Sequence, residues 1–281
     1  MKPADGLLGA DALSPPGTCA ARVTEWQGSR SRQRADQLAE EVPVALVFNG
    51  ISHAVMLASP TDLEDFALGF ALTEGLIGAP DDLFGVEVQA VEGGIELKLA
   101  VSAEAEWGLR QRRRSLAGRT GCGLCGTDSL AQVERELPPA PSVRVPARAL
   151  GLAQRDLWQH QQLQQLTGAT HAAAWCGLDG RVALLREDVG RHNALDKLIG
   201  ALVRAGTDRS QGFAAITSRA SFEMVQKAAA AGIGMLAAVS APTARAVRSA
   251  GSLNLALAGF VRGQDGVAYT FAERFGLAPE A

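Results

Sequence analysis

No apolar run in this chain of 281 residues reaches the ~20 residues that a helix needs to span a bilayer. The longest, Ala228 to Val239, is shorter and is broken by glycines, so no transmembrane segment and no membrane partner are expected. Neither sign of charge dominates. A formal net charge of -3 and a pI near 5.9 give no global electrostatic reason to bind nucleic acid, so any basic site must be local. Cysteine is scarce: four in the whole chain, with Cys19 and Cys176 isolated, do not make the dense framework of a small secreted domain. The compartment therefore reads as reducing and cytoplasmic. The arginines between Ser29 and Arg34 are followed by no apolar stretch of the kind a signal peptide carries, and residues 1–40 read as a disordered lead. There is no internal repeat and no coiled-coil heptad.

What is present is a 47% hydrophobic content, enough to bury at least one full core, in a length that favours roughly two domains. Val42–Val47 and Ile51–Leu57 flank Asn49-Gly50, a pair that accepts the positive φ angles of a tight hairpin turn. Thr61 is placed to cap a helix whose Glu64 completes a capping box, with Leu63, Phe66, Ala67 and Phe70 on one face and Gly75 as its stop. A second hairpin follows, Val86–Val91 and Ile95–Val101 across Gly93-Gly94, and then a basic helix, Glu104–Arg114. The proline-rich run Leu137–Pro146 reads as a linker, and Ala147–Thr167 as one helix. Beyond it short apolar runs alternate with helical patterns as far as Val261. The expected fold is α/β, α+β overall: a smaller N-terminal α+β domain of hairpins and helix over 41–146, and a C-terminal three-layer α/β domain over 147–275.

Two stretches can carry chemistry. In Arg119-Thr120-Gly121-Cys122-Gly123-Leu124-Cys125-Gly126 the glycines exclude regular structure and leave backbone amides free to stabilise a thiolate. Such a pair suits sulfur transfer, disulfide exchange or metal binding. A structural zinc site is one reading, but zinc takes four ligands, and no second Cys-x-x-Cys or histidine spacing supplies the other two, so no metal is assigned. A thioredoxin-like exchanger is another, although there the motif follows a strand directly, whereas here it follows an arginine-rich helix. Arg110, Arg112, Arg113, Arg114 and Arg119 either form a solvated helix face or favour the thiolate and hold an acidic partner beside it. The second stretch, Glu187 to Lys197, falls where a strand gives way to a helix. Arg191, His192, Asn193 and Lys197 there offer donors suited to phosphate beside free helix amides, against the plainer reading of a capped helix.

The residues resemble a known family. Arg119–Gly126, Glu187–Gly200 (EDVGRHNALDKLIG), Ser221–Gly232, Ala238–Thr243 and Gly259–Gly263 (GFVRG) look like the formate dehydrogenase accessory sulfurtransferases, the FdhD/NarQ family, and Leu63–Ile77 fits its N-terminal part. The resemblance runs from about Val42 to Tyr269. It implies a sulfur carrier that takes persulfide sulfur from a cysteine desulfurase. The sulfur passes to a bis-guanine-dinucleotide molybdopterin before that cofactor enters formate dehydrogenase. Cys122 matches the persulfide-bearing cysteine and Cys125 the second thiol. The pterin-binding stretch falls on Phe260, Val261, Arg262, Gly263, Gln264 and Asp265, with Arg191, His192 and Asn193 as further cofactor contacts. The resemblance also implies a homodimer and a larger domain like the cytidine deaminase fold. Deaminase chemistry does not follow, since neither H-x-E nor P-C-x-x-C is present. Ser218 stands where the family pattern expects glycine, and Gln264-Asp265-Gly266 differs from the more basic or polar sequence common after GFVRG. A non-catalytic chaperone for the same cofactor is the alternative function.

Overall fold

The computed structural model describes residues 14–116 and 135–277, with the side chains of 112–116 left aside. Three sheets appear. A two-stranded hairpin pairs β1 (Thr18–Gln27) with β2 (Arg30–Ala39). A four-stranded sheet runs in the order β4-β3-β6-β5, built from β3 (Val42–Phe48), β4 (Ile51–Ala58), β5 (Leu83–Val91) and β6 (Gly94–Val101). The largest sheet has the order β12-β11-β10-β9-β7-β8, where β7 is His171–Gly177, β8 Val182–Asp188, β9 Gly212–Ile216, β10 Met235–Ala238, β11 Ala256–Arg262 and β12 Asp265–Ala268. Strands β9, β10 and β11 are parallel, while β7 and β12 run against their neighbours. The fold is mixed α/β, as expected.

The two larger sheets each bury one face or both against helices. The four-stranded sheet packs Val44, Leu46, Phe48, Leu97 and Leu99 on Phe66 and Phe70 of α1 (Leu63–Thr73) and on Leu109 of α2 (Ala103–Leu116). The large sheet is covered on one face by α5 (Arg191–Arg204), α6 (Phe222–Ala230) and α7 (Ala244–Ser252), and on the other by α3 (Ala147–His160). Helix α1 lies directly on α5. A Cβ on Gly69 would come 1.8 Å from the Asp196 carbonyl oxygen, and one on Gly200 would come 1.9 Å from that of Asp65. Two glycines therefore let the backbones touch and join the sheet layers.

The hairpin at Asn49-Gly50 forms with both residues at positive φ, as the dipeptide predicts. Four local expectations are corrected. Residues 18–39 are not a disordered lead but a hairpin that turns at Gly28 (φ 61°); its strands are largely exposed, and the apolar alternation of Cys19, Ala21 and Val23 stops at Glu25. Thr61 does not cap α1: Asp62 holds that place at φ 51°, and the Thr61 hydroxyl has no hydrogen-bond partner. The run 137–146 is more than a linker, because Val143 and Val145 are buried and the Ala140 and Val145 amides donate to Leu253 and Arg274 carbonyls. The helix expected over 147–167 breaks at Gln161 into α3 and α4 (Gln162–Thr167).

Candidate functional site

The polar stretch Glu187–Lys197 is mostly spent on holding the fold together. Glu187, buried, accepts from the Leu163 and Gln164 amides at 2.9 and 2.8 Å and from the Thr170 hydroxyl at 3.1 Å, which ties α4 to β8. Asp188 accepts from the amides of Ser59 (3.0 Å) and Gly190 (2.7 Å), and its carboxylate lies 2.7 Å from Lys197 Nζ, both side chains being fully buried. Lys197 also donates to the Ser59 carbonyl, and Asn193 donates to Asp188 and to the Leu57 carbonyl. The end of β4 is thus clamped onto the start of α5. Asp196 joins a second buried cluster with Lys227, Thr73 and Glu74. Burial alone would lower the Lys227 pKa, but the Asp196 and Glu74 carboxylates outweigh it and raise the value above that of an ordinary lysine. Asn193 and Lys197, expected at a ligand, therefore face the protein interior.

A cleft of about 880 Å³ opens at the carboxyl ends of β9, β10 and β11, where α/β folds gather ligands. Thr217, Val239 and Val261–Gly263 form its floor, Thr170 and His171 one end, and Gln154, Arg155 and Trp158 of α3 a wall. Strand β11 reaches it through a bulge: Phe260 sits at φ 53°, its amide donating to the Ser240 carbonyl, and the register with β12 shifts between Gly259 and Arg262. Gly263, at φ 59°, then opens the turn to β12, so tightly under α3 that a Cβ on Gly151 would fall 1.6 Å from the Gly263 carbonyl oxygen. Backbone contact thus fixes α3 over the floor. Gln154 reaches from α3 to the Ile216 and Ala237 carbonyls at 3.5 and 3.4 Å.

The cleft is electropositive. Among the described residues Arg155, Arg191 and Arg262 have no ion-pair partner, and the buried Arg191 Nε has no hydrogen-bond partner either. His192 lies 2.7 Å from Glu223 and lowers that carboxyl's pKa. His171, opposite Asp188 across the β7–β8 ladder, is half-buried; burial first, then the charges of Arg191 and His192, lower its pKa, with Asp188 opposing. Of the residues expected at the cofactor, Val261, Arg262 and Gly263 line the cleft. Phe260, Gln264 and Asp265 are exposed on the adjoining bulge and turn. Arg191 and His192 stand behind His171, and Asn193 is structural. Arg155, Trp158, Thr170, His171 and Thr217 were not found from sequence. The sequence placed the first two only within the helix expected over 147–167.

A model described as the FdhD/NarQ family matches residues 39–276. The chain belongs to the FdhD/NarQ family. Relatives named sulfur carrier protein FdhD include one from Variovorax paradoxus (strain S110), 56% identical over 274 residues that cover 96% of this chain and 98% of that protein. One from Cupriavidus necator is 56% identical over 269 residues, 94% and 92% of the two chains. One from Bordetella petrii is 55% identical over 247 residues, 88% and 89%. Among solved structures, a candidate formate dehydrogenase accessory protein from Desulfotalea psychrophila superposes with a TM-score of 0.71, covering 92% of this chain and 99% of its own. At 20% identity that likeness speaks of the fold alone.

In this FdhD/NarQ chain Cys122, Cys125 and Arg119 lie outside the described residues. The other two cysteines are within them, and neither is suited to act as a thiolate. Cys176 is fully buried in the core beneath α3, and burial pushes its pKa far above the ordinary thiol value. Cys19 is also raised, by burial and by Glu40 beside it. Among the described residues no three His, Cys, Asp or Glu side chains are grouped to hold a metal ion, and no helix is long and apolar enough to cross a membrane.

Proposed function

We propose that this chain is a sulfur carrier whose Cys122 accepts persulfide sulfur from a cysteine desulfurase. The sulfur is then handed to a molybdenum cofactor destined for formate dehydrogenase. The observation that carries the reading is its relation, at 55–56% identity over nearly the full chain, to proteins named sulfur carrier protein FdhD. The chemistry of the remaining thiols supports it: with Cys19 and Cys176 both held towards the protonated form, Cys122 and Cys125 are left as the nucleophiles. In the loading step the Cys122 thiolate attacks the outer sulfur of the donor's persulfide. A new sulfur–sulfur bond forms on Cys122, the donor's bond breaks, and the donor cysteine leaves as its thiolate. Cys125 is the second thiol, which relays or releases the sulfur.

The cargo in this reading is the bis-molybdopterin guanine dinucleotide, and its phosphates require cations. The cleft meets that requirement with Arg155, Arg262 and, behind His171, Arg191, none of them in an ion pair among the described residues. Arg262 and the amides of the Gly263 turn are the groups assigned to phosphate. Trp158 offers a ring face to a base.

The test is the intact mass of the protein after incubation with a cysteine desulfurase and cysteine. A reducible gain of ~32 Da, one sulfur atom, is expected in wild type and in Cys176→Ser and is absent in Cys122→Ser. A gain that persists in Cys122→Ser overturns the assignment. If no form gains sulfur while the dinucleotide still binds, the protein is a cofactor chaperone instead.

A further inference from the structure

The His171 end of the cleft has an unusual charge balance. Arg191 and His192 approach the imidazole from the start of α5, Asp188 from β8, and Arg155 and Arg262 share the cleft with it from α3 and β11. Asp188, however, is already committed to Lys197, Asn193 and two amides, and Glu223 of α6 to His192. Glu187, the remaining carboxylate on β8, is bound to the amides of α4. The three carboxylates nearby are thus saturated, while Arg155 and Arg262 have no ion-pair partner among the described residues. A half-buried imidazole in such a place stays neutral when the cleft is open, because burial and like charge both oppose its protonation. An oxyanion entering the cleft reverses both the sign of the local field and the preference of the imidazole.

We infer that His171 binds the incoming phosphate as an imidazolium, taking up a proton as the anion enters the cleft. This deepens the cofactor reading of the same cleft and does not involve the thiols. Neutral His171 offers one N–H donor and the cation offers two, so the protonated form adds both a charge and a hydrogen bond to the phosphate. The sign of the pH dependence follows. The free pKa lies below that of an ordinary histidine and the bound pKa above the free one, so affinity is greatest below the free value and declines as pH rises to the bound value. Across that window one pH unit changes the affinity by up to about tenfold, the factor that corresponds to one pKa unit. His171 is then a specificity group that favours a phosphate over an uncharged ligand of similar shape.

The experiment titrates the full chain with P1,P2-di(guanosine-5′) diphosphate by calorimetry in buffers of differing ionisation enthalpy. Both phosphates of this probe are diesters with fixed charge near neutrality, so a proton taken up on binding must go to the protein. Wild type is expected to bind with net proton uptake near pH 7. His171→Gln, which keeps a donor but cannot ionise, should bind more weakly with the uptake gone, and His192→Gln should retain it. Because His171→Gln alters the packing of β7, the imidazole pKa in wild type is also read by NMR, and it should rise when the probe binds. Binding without proton uptake, uptake that survives His171→Gln, uptake that disappears only with His192→Gln, or no binding at all would each overturn the proposal. Sulfur loading of Cys122 is read separately by mass, so the two proposals can fail independently.

Discussion

The clamp at Asp188–Lys197 and the cleft lined by Arg155, His171 and Arg262 lie at the same end of the strands of the large sheet, and their polar groups meet different fates. In the clamp every charge has a partner: Lys197 is shared between Asp188 and the Ser59 carbonyl, and Asp188 takes two amides and Asn193 as well. In the cleft Arg155 and Arg262 stand without an ion-pair partner among the described residues. A saturated buried cluster has nothing left to offer a ligand and contributes to fold specificity, whereas unsaturated cations at an open surface are available to one. Richness in polar residues is common to both, and satisfaction is what separates them.

The sharpest way to break this contrast is to open the clamp. Lys197→Ala leaves Asp188 charged and fully buried with only neutral donors, and removal of one partner of a buried pair costs about 3–5 kcal/mol. The melting temperature should fall by many degrees, since the loss is a large fraction of a domain's total stability. A loss below about 1 kcal/mol in chemical denaturation would mean that the clamp does not carry the junction between the sheets.

A second change tests the same junction from the backbone. Gly200→Ala places a Cβ 1.9 Å from the Asp65 carbonyl oxygen, a distance that only a shift of α1 against α5 can relieve. Overpacking of this kind costs typically about 1–3 kcal/mol, and here the clash is with backbone, so the upper part of that range is expected in urea unfolding. Movement of α1 would also strain the contacts of Asp65 with Arg186 and Arg204. Wild-type stability in Gly200→Ala would show that the two helices do not need to touch.

How far each region was legible follows from where its information lies. The Asn49-Gly50 hairpin and the C-terminal alternation of strand and helix are local patterns, with turn chemistry and periodicity inside a few residues, and they formed as expected. The β1–β2 hairpin was not legible, because the apolar alternation Cys19, Ala21, Val23 is only three residues long and β2 sets Arg34 and Arg32 opposite Val23 and Glu25. The Glu187–Lys197 stretch was visible as a polar cluster, but its partners Ser59, Leu57 and Thr170 come from other elements, so its structural role was hidden. For the same reason Val261–Gly263 could be placed at the cleft by resemblance, while Arg155 and His171 could not. Only the Gly151–Gly263 contact and the sheet register bring them there.

The smallest expected change in stability is also the most informative about the cleft. Arg262 is exposed and has no ion-pair partner among the described residues, so Arg262→Ala should alter unfolding free energy by no more than about 0.5 kcal/mol. Its effect belongs instead to binding. A hydrogen bond to a charged group is worth about 1.5–3 kcal/mol, so affinity for a guanine dinucleotide should fall tenfold or more. Arg262→Lys restores the charge without the planar fork and should recover part of that loss. If Arg262→Ala instead destabilised the fold as Lys197→Ala does, the cleft arginine would be a structural group like those of the clamp, and the distinction between the two clusters would fail at the residue chosen to define it.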